Sequence, residues 1–207
     1  MDDGTRQTTA QIKVFVLDDH AMVREALSDY IGTDPQMTVV GSAGSVEEAL
    51  AGIATTQPAV AVLDARLREG SGVAVCREVH ERHPQVRCLL LTSHSDDEAH
   101  VAARLAGASG YLIKELRGSR LLDGIRTVAA GGSLFDHEPV EELRPLVDDL
   151  CARRAVRLDQ QQQRVLAGAV RGASNTQIAD ATSQTTSDVR GQLDLILQRL
   201  GIGGGRP

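Results

Sequence analysis

Lysine is almost missing from this 207-residue chain: Lys13 and Lys114 stand against twenty arginines. An arginine-biased genome would explain such a shortage, so the rarity alone proves nothing, but it makes each remaining lysine worth placing. Cysteine is scarce as well. Cys76, Cys88 and Cys151 are odd in number and lack metal-ligand spacing, which argues against a disulfide framework or a zinc site. They read as small buried or half-buried thiols. No apolar run approaches the roughly 18 residues of a membrane span. The opening stretch MDDGTRQTTAQ has neither the basic nor the apolar region of a signal peptide, so the cytoplasm is the expected location and no membrane partner is expected. Catalytic triads, zinc spacings and glycine-rich nucleotide loops are all missing, so an enzyme is not expected.

What remains is ordinary globular material, 42% hydrophobic and 24% charged, long enough for one large domain or two smaller ones. Its charge is divided unevenly. Residues 1–150 hold 14 basic and 24 acidic side chains, net −10, while residues 151–207 hold 8 and 4, net +4, together the −6 of the whole chain. An acidic front and a mildly basic tail suggest two parts with different partners.

Along the first ~130 residues, strand-like and helix-like patterns alternate five times. Apolar runs near 12–17, 37–41, 59–63, 86–91 and 109–113 predict strands. Amphipathic stretches near 20–32, 45–55, 72–82, 95–106 and 117–131 predict helices. Such alternation implies an α/β fold, a doubly wound five-stranded parallel sheet with helices on both faces. Pro58 and Pro84 precede strands, Ser45 is placed to cap a helix and Gly107 to end one. Beyond residue 132 the pattern turns helical. Val140, Leu143, Val147 and Leu150 share one face of a linker helix, with Pro139 and Pro145 each suited to a first turn, so a break near Pro145 is expected. Asp159, Ser174 and Thr185 are then spaced to cap three short helices, the last with an apolar face of Val189, Leu193, Ile196, Leu197 and Leu200. Two short helices joined by a tight turn fit a helix-turn-helix, a small all-α domain.

The chemistry concentrates at strand ends. Asp18 and Asp19 follow the first run, Asp64 the third, Thr92 the fourth and Lys114 the fifth. In an open parallel sheet these ends share the edge where ligands bind. Three carboxylates there make a hard oxygen site suited to Mg²⁺. A hydroxyl and a compact ammonium beside them would complete a pocket for a phosphoryl group.

The segments VFVLDDHAMVREAL, AVAVLDARLREGSG, LLLTSHSDDEA and AGASGYLIKE, followed by LDQQQQRVLAGAVRGASNTQIAD and LILQRLGI, carry a family likeness. Over about residues 11–202 the chain resembles a two-component response regulator of the NarL/LuxR family, most closely its DosR (DevR) dormancy-regulator branch. That resemblance implies a flavodoxin-like receiver over 11–132, a linker helix region over 133–157 and a LuxR-type helix-turn-helix over 158–207, after a disordered stretch 1–10. It implies that Asp64 accepts a phosphoryl group from a sensor histidine kinase, with Asp18, Asp19 and Asp64 holding Mg²⁺. It also implies that Thr92 and Lys114 meet the phosphoryl oxygens and that Tyr111 follows Thr92 as the switch aromatic. Two output classes stay open: transcription control by DNA binding as a dimer, and a receiver acting through proteins, as a phosphate sink or a heterodimer partner of a related regulator.

Departures from the family pattern bear on that choice. Arg68 stands where the family usually has proline, four residues after the acceptor. In the third tail helix the family's S-E-K-T-V-K-N-H becomes Thr185, Thr186, Ser187, Asp188, Val189, Arg190, Gly191 and Gln192. Over 185–200 two arginines are balanced by Asp188 and Asp194, and Gly191 costs a helix about 1 kcal/mol relative to alanine. The turn region carries Thr182 and Gln184 where apolar residues are usual, and the sequence ends in GIGGGRP where the family adds a fourth helix. The residues left for DNA are Arg190, Gln192 and Arg199, with nonspecific attraction from Arg164 and Arg171.

Overall fold

The computed structural model of the chain describes residues 11–93, 97–114, 120–135 and 140–202. The expected disordered stretch 1–10, the first residues of the helices expected from 95 and from 117, Pro139 and the last five residues lie outside the described residues. Five strands, β1 (Ile12–Leu17), β2 (Met37–Ala43), β3 (Val60–Asp64), β4 (Arg87–Thr92) and β5 (Gly110–Ile113), form one sheet in the order β2-β1-β3-β4-β5. All pairings are parallel. The chain leaves β1 for the edge at β2 and returns past it to β3, so the order reverses between β1 and β3. Such reversals open a crevice at the carboxyl ends of the strands.

Five helices alternate with the strands: α1 (Ala21–Gly32), α2 (Val46–Thr56), α3 (Gly72–Arg82), α4 (Asp97–Leu105) and α5 (Arg120–Ala129). Successive strand side chains point to opposite faces, and the core divides accordingly. Val14, Val16, Val60, Val62, Leu89 and Leu91 pack with Leu27 and Ile31 of α1 and with Ile125 and Val128 of α5. Phe15, Leu17, Ala61, Leu63, Cys88 and Leu90 pack against α2, α3 and α4 on the other face. Cys76 and Cys88 are buried and Cys151 is half-buried.

The connection from β3 into α3 is unusually tight. A Cβ built on Gly72 would lie 1.9 Å from the carbonyl oxygen of Asp64, so only glycine lets α3 start directly beneath that residue. Ser71 caps the helix through the Val73 amide at 3.1 Å and gives its hydroxyl to the Ala65 carbonyl. Gly72→Ala forces backbone against backbone and should cost about 3 kcal/mol, the upper end of overpacking. A thermal melt should fall by about 6–12 °C for a chain of this size.

Beyond the sheet lie α6 (Val140–Arg153), α7 (Gln160–Val170), α8 (Asn175–Thr182) and α9 (Thr186–Arg199). The expected break near Pro145 is not there: α6 runs unbroken with Pro145 inside it. Proline removes one backbone donor from the second turn, and the buried row Leu143, Val147 and Leu150 holds the helix together around it. Each tail helix starts with a reciprocal capping box, Asp159 with Gln162, Ser174 with Gln177 and Thr185 with Asp188. The tail does not stand apart from the sheet. α4 packs against α6, α7 and α9, and the core beneath α2–α4 continues through Leu143, Val147 and Leu150 into Val165, Leu166, Leu193 and Ile196. Among the described residues, no helix is long and apolar enough to cross a membrane.

Candidate functional site

Asp18 and Asp19 follow β1 directly, Asp64 and Thr92 are the last residues of β3 and β4, and Lys114 follows β5. The sheet thereby brings all five predicted residues to one edge. The Lys114 Nζ lies 2.7 Å from Asp18 Oδ2 and 2.7 Å from Asp64 Oδ2. Asp18 is fully buried, and Asp64 and Asp19 keep only 6% and 9% of their side-chain surface in solvent. Burial pushes the Asp64 carboxyl above its ordinary 3.8, and the Lys114 ammonium opposes that rise. Burial alone would lower Lys114, but its hydrogen bonds and charge pairing with Asp18 and Asp64 outweigh this and raise it above 10.5. The pocket therefore holds a firmly protonated lysine between two carboxylates, one of them costly to ionise.

Backbone contacts fix the rest. Asp18 Oδ1 accepts from the His20 amide at 2.9 Å, and Asp64 Oδ1 from the Arg66 amide at 3.2 Å. Arg24 gives its guanidinium to the Asp18 carbonyl at 2.6 Å. Arg68, in the position expected to be proline, gives its amide to Asp19 Oδ2 at 2.8 Å, with its Nε 3.6 Å from the same oxygen. Oxygens of Asp18, Asp19 and Asp64, together with a His20 nitrogen, lie within 4.8 Å of one another. Asp19 Oδ1 is buried and pairs with the His20 Nδ1 at 2.7 Å. Such a donor set fits a divalent cation.

Thr92 is buried beside this cluster, and its carbonyl accepts from the Lys114 amide at 2.6 Å. On β5, Tyr111 is half-buried and stacks on His100 of α4 with ring centres 5.6 Å apart. His100 stacks in turn on Phe135, also at 5.6 Å, and Arg104 covers the Phe135 ring at 4.8 Å. A contiguous path therefore runs from the pocket along β5 to α4, the helix on which the tail rests.

The tail residues predicted to meet DNA face in other directions. Arg190 of α9 pairs with Glu78 at 2.9 Å and with Glu81 at 3.1 Å, both on α3. Arg77, almost fully buried, binds Asp194 of α9 through Nε at 2.6 Å and the Arg190 carbonyl through Nη2 at 2.6 Å. Arg199 gives Nη1 to the Arg157 carbonyl at 3.4 Å, and Gln192 is half-buried. α9 is thus latched onto the sheet domain by interlocked opposite charges. Sequence reasoning missed Arg77, Glu78 and Glu81. The only trace was a helix-end cluster matched by Arg190 and Asp194, one turn apart on α9.

His80, on the same turn of α3, sits under the α4–β5 loop, where a Cβ on Gly107 would meet its ring at 2.7 Å. Burial, with Arg87 and Arg77 nearby, lowers its pKa below the ordinary 6.5, and Glu81 offsets this only in part. A depressed folded pKa means that His80 must charge as the pH falls, so its contribution is intact above 6.5 and lost as the pH drops through the folded value. His80→Gln should flatten the fall in melting temperature below that pH.

Residues 14–126 match the response regulator receiver domain. The chain is 40% identical over 193 residues to the DNA-binding transcriptional activator DevR/DosR of Mycobacterium tuberculosis (strain ATCC 25618 / H37Rv), covering 92% of this chain and 89% of that protein. A LuxR-family two-component response regulator from Aurantimonas sp. SI85-9A1 superposes with a TM-score of 0.59 at 27% identity, over 66% of this chain and 97% of its own. RcsB from Salmonella enterica serovar Typhimurium, solved bound to the promoter rprA, superposes with a TM-score of 0.52 over 92% of this chain and 93% of its own. At 16% identity that likeness bears on the fold alone.

Proposed function

The chain belongs to the response regulators, and we propose that it accepts a phosphoryl group on Asp64 from a sensor histidine kinase and passes the signal to DNA through α8 and α9. The observation that carries this reading is the Lys114 ammonium bridging Asp18 and Asp64 at 2.7 Å on each side. In the proposed step an Asp64 carboxylate oxygen attacks the phosphorus of the kinase phosphohistidine. The O–P bond forms as the P–N bond breaks, and the imidazole leaves. Asp18, Asp19 and Asp64 would hold Mg²⁺, which neutralises charge on the transferring group when bound. Lys114 then pairs with a phosphoryl oxygen, and the Thr92 hydroxyl donates to another.

Withdrawal of Lys114 and Thr92 toward the phosphoryl group pulls on β5 and on the Tyr111–His100–Phe135 stack. α4 carries that stack and the tail together, so a local charge change biases a docked or released tail. Release frees Arg190 from Glu78 and Glu81 for phosphate or base contact, and a homodimer binds the operator. The 40% identity to an activator named as DNA-binding supports this output.

A second reading keeps the receiver and replaces DNA by a protein partner. It is favoured by the balanced charge of 185–200 and by the glycine at 191. One experiment separates the two: kinase-dependent phosphorylation of the full chain, then DNA binding and sizing on the same sample. Salt-sensitive, sequence-specific binding that tightens on phosphorylation supports the DNA reading. A labelled chain with no specific site in a genome-wide binding assay overturns it in favour of the protein partner.

A further inference from the structure

The two helices that join the sheet domain to the tail leave a space between them. α6 ends at Arg153 and α7 begins at Gln160, a connection short enough for a close helical hairpin. They flank instead a cavity of about 840 Å³, within the size range of small-molecule sites. Its walls follow α6 from Arg144 to Cys151 and α7 from Gln163 to Arg171. At 1.5 Å per residue these walls are about 10–12 Å long, an elongated slot. Val147, Leu166 and Val170 form its buried apolar floor, continuous with the main core. Burial, with Asp148 beside it, raises the Cys151 thiol above its ordinary 9.0, so Cys151 lines the slot as a neutral group.

The rim is charged, mostly with one sign. Arg144, Arg157 and Arg171 stand against Asp148 as the one acid of the lining. All three arginines are exposed, and none makes an ion pair among the described residues. The neighbouring Arg153 and Arg154, by contrast, are paired with Asp149 and Glu98. Cations gathered around a low-dielectric floor concentrate positive field in the cleft. An anion placed among them relieves their repulsion, and an apolar body attached to it covers the floor.

We propose that this slot binds a single-chain acyl anion, its carboxylate among the rim arginines and its hydrocarbon body over Val147, Leu166 and Val170. The chain's own ends do not match the slot. Residues 1–10 carry one large apolar side chain, Met1, and residues 203–207 carry none and add Arg206. A twofold contact with a second copy sets the same three arginines against themselves. Both α6 and α7 rest on α4, so an occupant stabilises that arrangement by mass action. The level of such an anion then bears on how firmly the tail is held, independently of the chemistry at Asp64.

The test uses the unphosphorylated full chain, titrated calorimetrically with decanoate below its micelle concentration and with decanol, and sized on the same samples. Decanoate should bind once per chain and raise the melting temperature, with decanol about tenfold weaker for want of charge-assisted hydrogen bonds. Arg144→Gln combined with Arg171→Gln should weaken decanoate about tenfold and leave decanol within about twofold of the parent. Ala167→Trp, which fills the slot from α7, should remove binding of both. Arg120→Gln, on α5, should change neither. All four substituted positions are exposed, so the variants should melt with the parent when no ligand is present. Equal affinity for acid and alcohol, or a decanoate affinity unmoved by the paired arginine change, overturns the inference. Uptake of several molecules per chain does so as well. Binding of neither compound also overturns it, and self-association reversed by Ala167→Trp would then assign the slot to a second copy.

Discussion

Asp64→Asn should abolish labelling by a cognate kinase and raise the melting temperature at pH 7. The first effect follows because an amide cannot supply the carboxylate nucleophile. The second follows from the pocket's electrostatics. Burial holds the folded pKa of Asp64 above 3.8 even with Lys114 beside it. A raised folded pKa means that stability from this group is fully present below its unfolded value and lost as the pH rises through the folded one. Asparagine carries no charge to desolvate, so the variant gains at neutral pH, and the gain shrinks toward zero as the parent protonates in acid. Paired melts at pH 7 and at about pH 3.5, together with a phosphotransfer assay, check both halves. Undiminished labelling would move the acceptor to another residue. A destabilised variant at pH 7 would show that the Lys114 pairing outweighs desolvation.

The second large effect concerns the latch. Glu78→Lys combined with Glu81→Lys places two cations against Arg190, in place of pairs at 2.9 and 3.1 Å. All three side chains are partly exposed, so each lost pair is worth no more than about 1 kcal/mol. A combined shift of about 2 kcal/mol moves the docked–released balance by about thirtyfold. Solution scattering should show an extended unphosphorylated chain, and on the proposed output its DNA affinity should rise by a similar factor. Adding Arg190→Glu restores opposite charge and should return the compact profile while leaving DNA binding weak. Such a rescue is the signature of direct coupling. A compact profile indifferent to the double reversal would mean that apolar packing by α4, and not the charges, holds the tail.

The sheet was legible because its signals are local and redundant. Buried strands appear as unbroken apolar runs such as Val60–Leu63, and each polar residue directly after a run is carried to the crevice by topology alone. The caps were legible for the same reason: Ser45, Asp159, Ser174 and Thr185 bond to amides three residues away. Pro145 misled because proline propensity is a local cost, and the buried row of α6 overrides it by tertiary packing. The Arg77–Asp194 pair spans more than a hundred residues, and no spacing rule links such partners. The family pattern raised the five pocket residues together, yet it passed over His20, which lies one residue beyond the acids and looks in sequence like a plain helix start.

On the proposed output, the apolar core that continues from α4 into the tail would make activation a matter of concentration. A tail that lifted away would uncover apolar surface at the end of α4, Leu105 and the following Ala106, and on its own inner side, Ala169 and Leu193. Water penalises such surface at about 25 cal/mol per Å², so on the proposed mechanism that penalty would oppose release of a lone molecule. A second released copy would relieve that penalty by covering the exposed faces. Opening and pairing would then rise together, and the response would follow roughly the square of the phosphorylated pool at low occupancy. Cellular abundance of the regulator would thereby become a second input, read by the same hydrophobic face that packs the tail against α4.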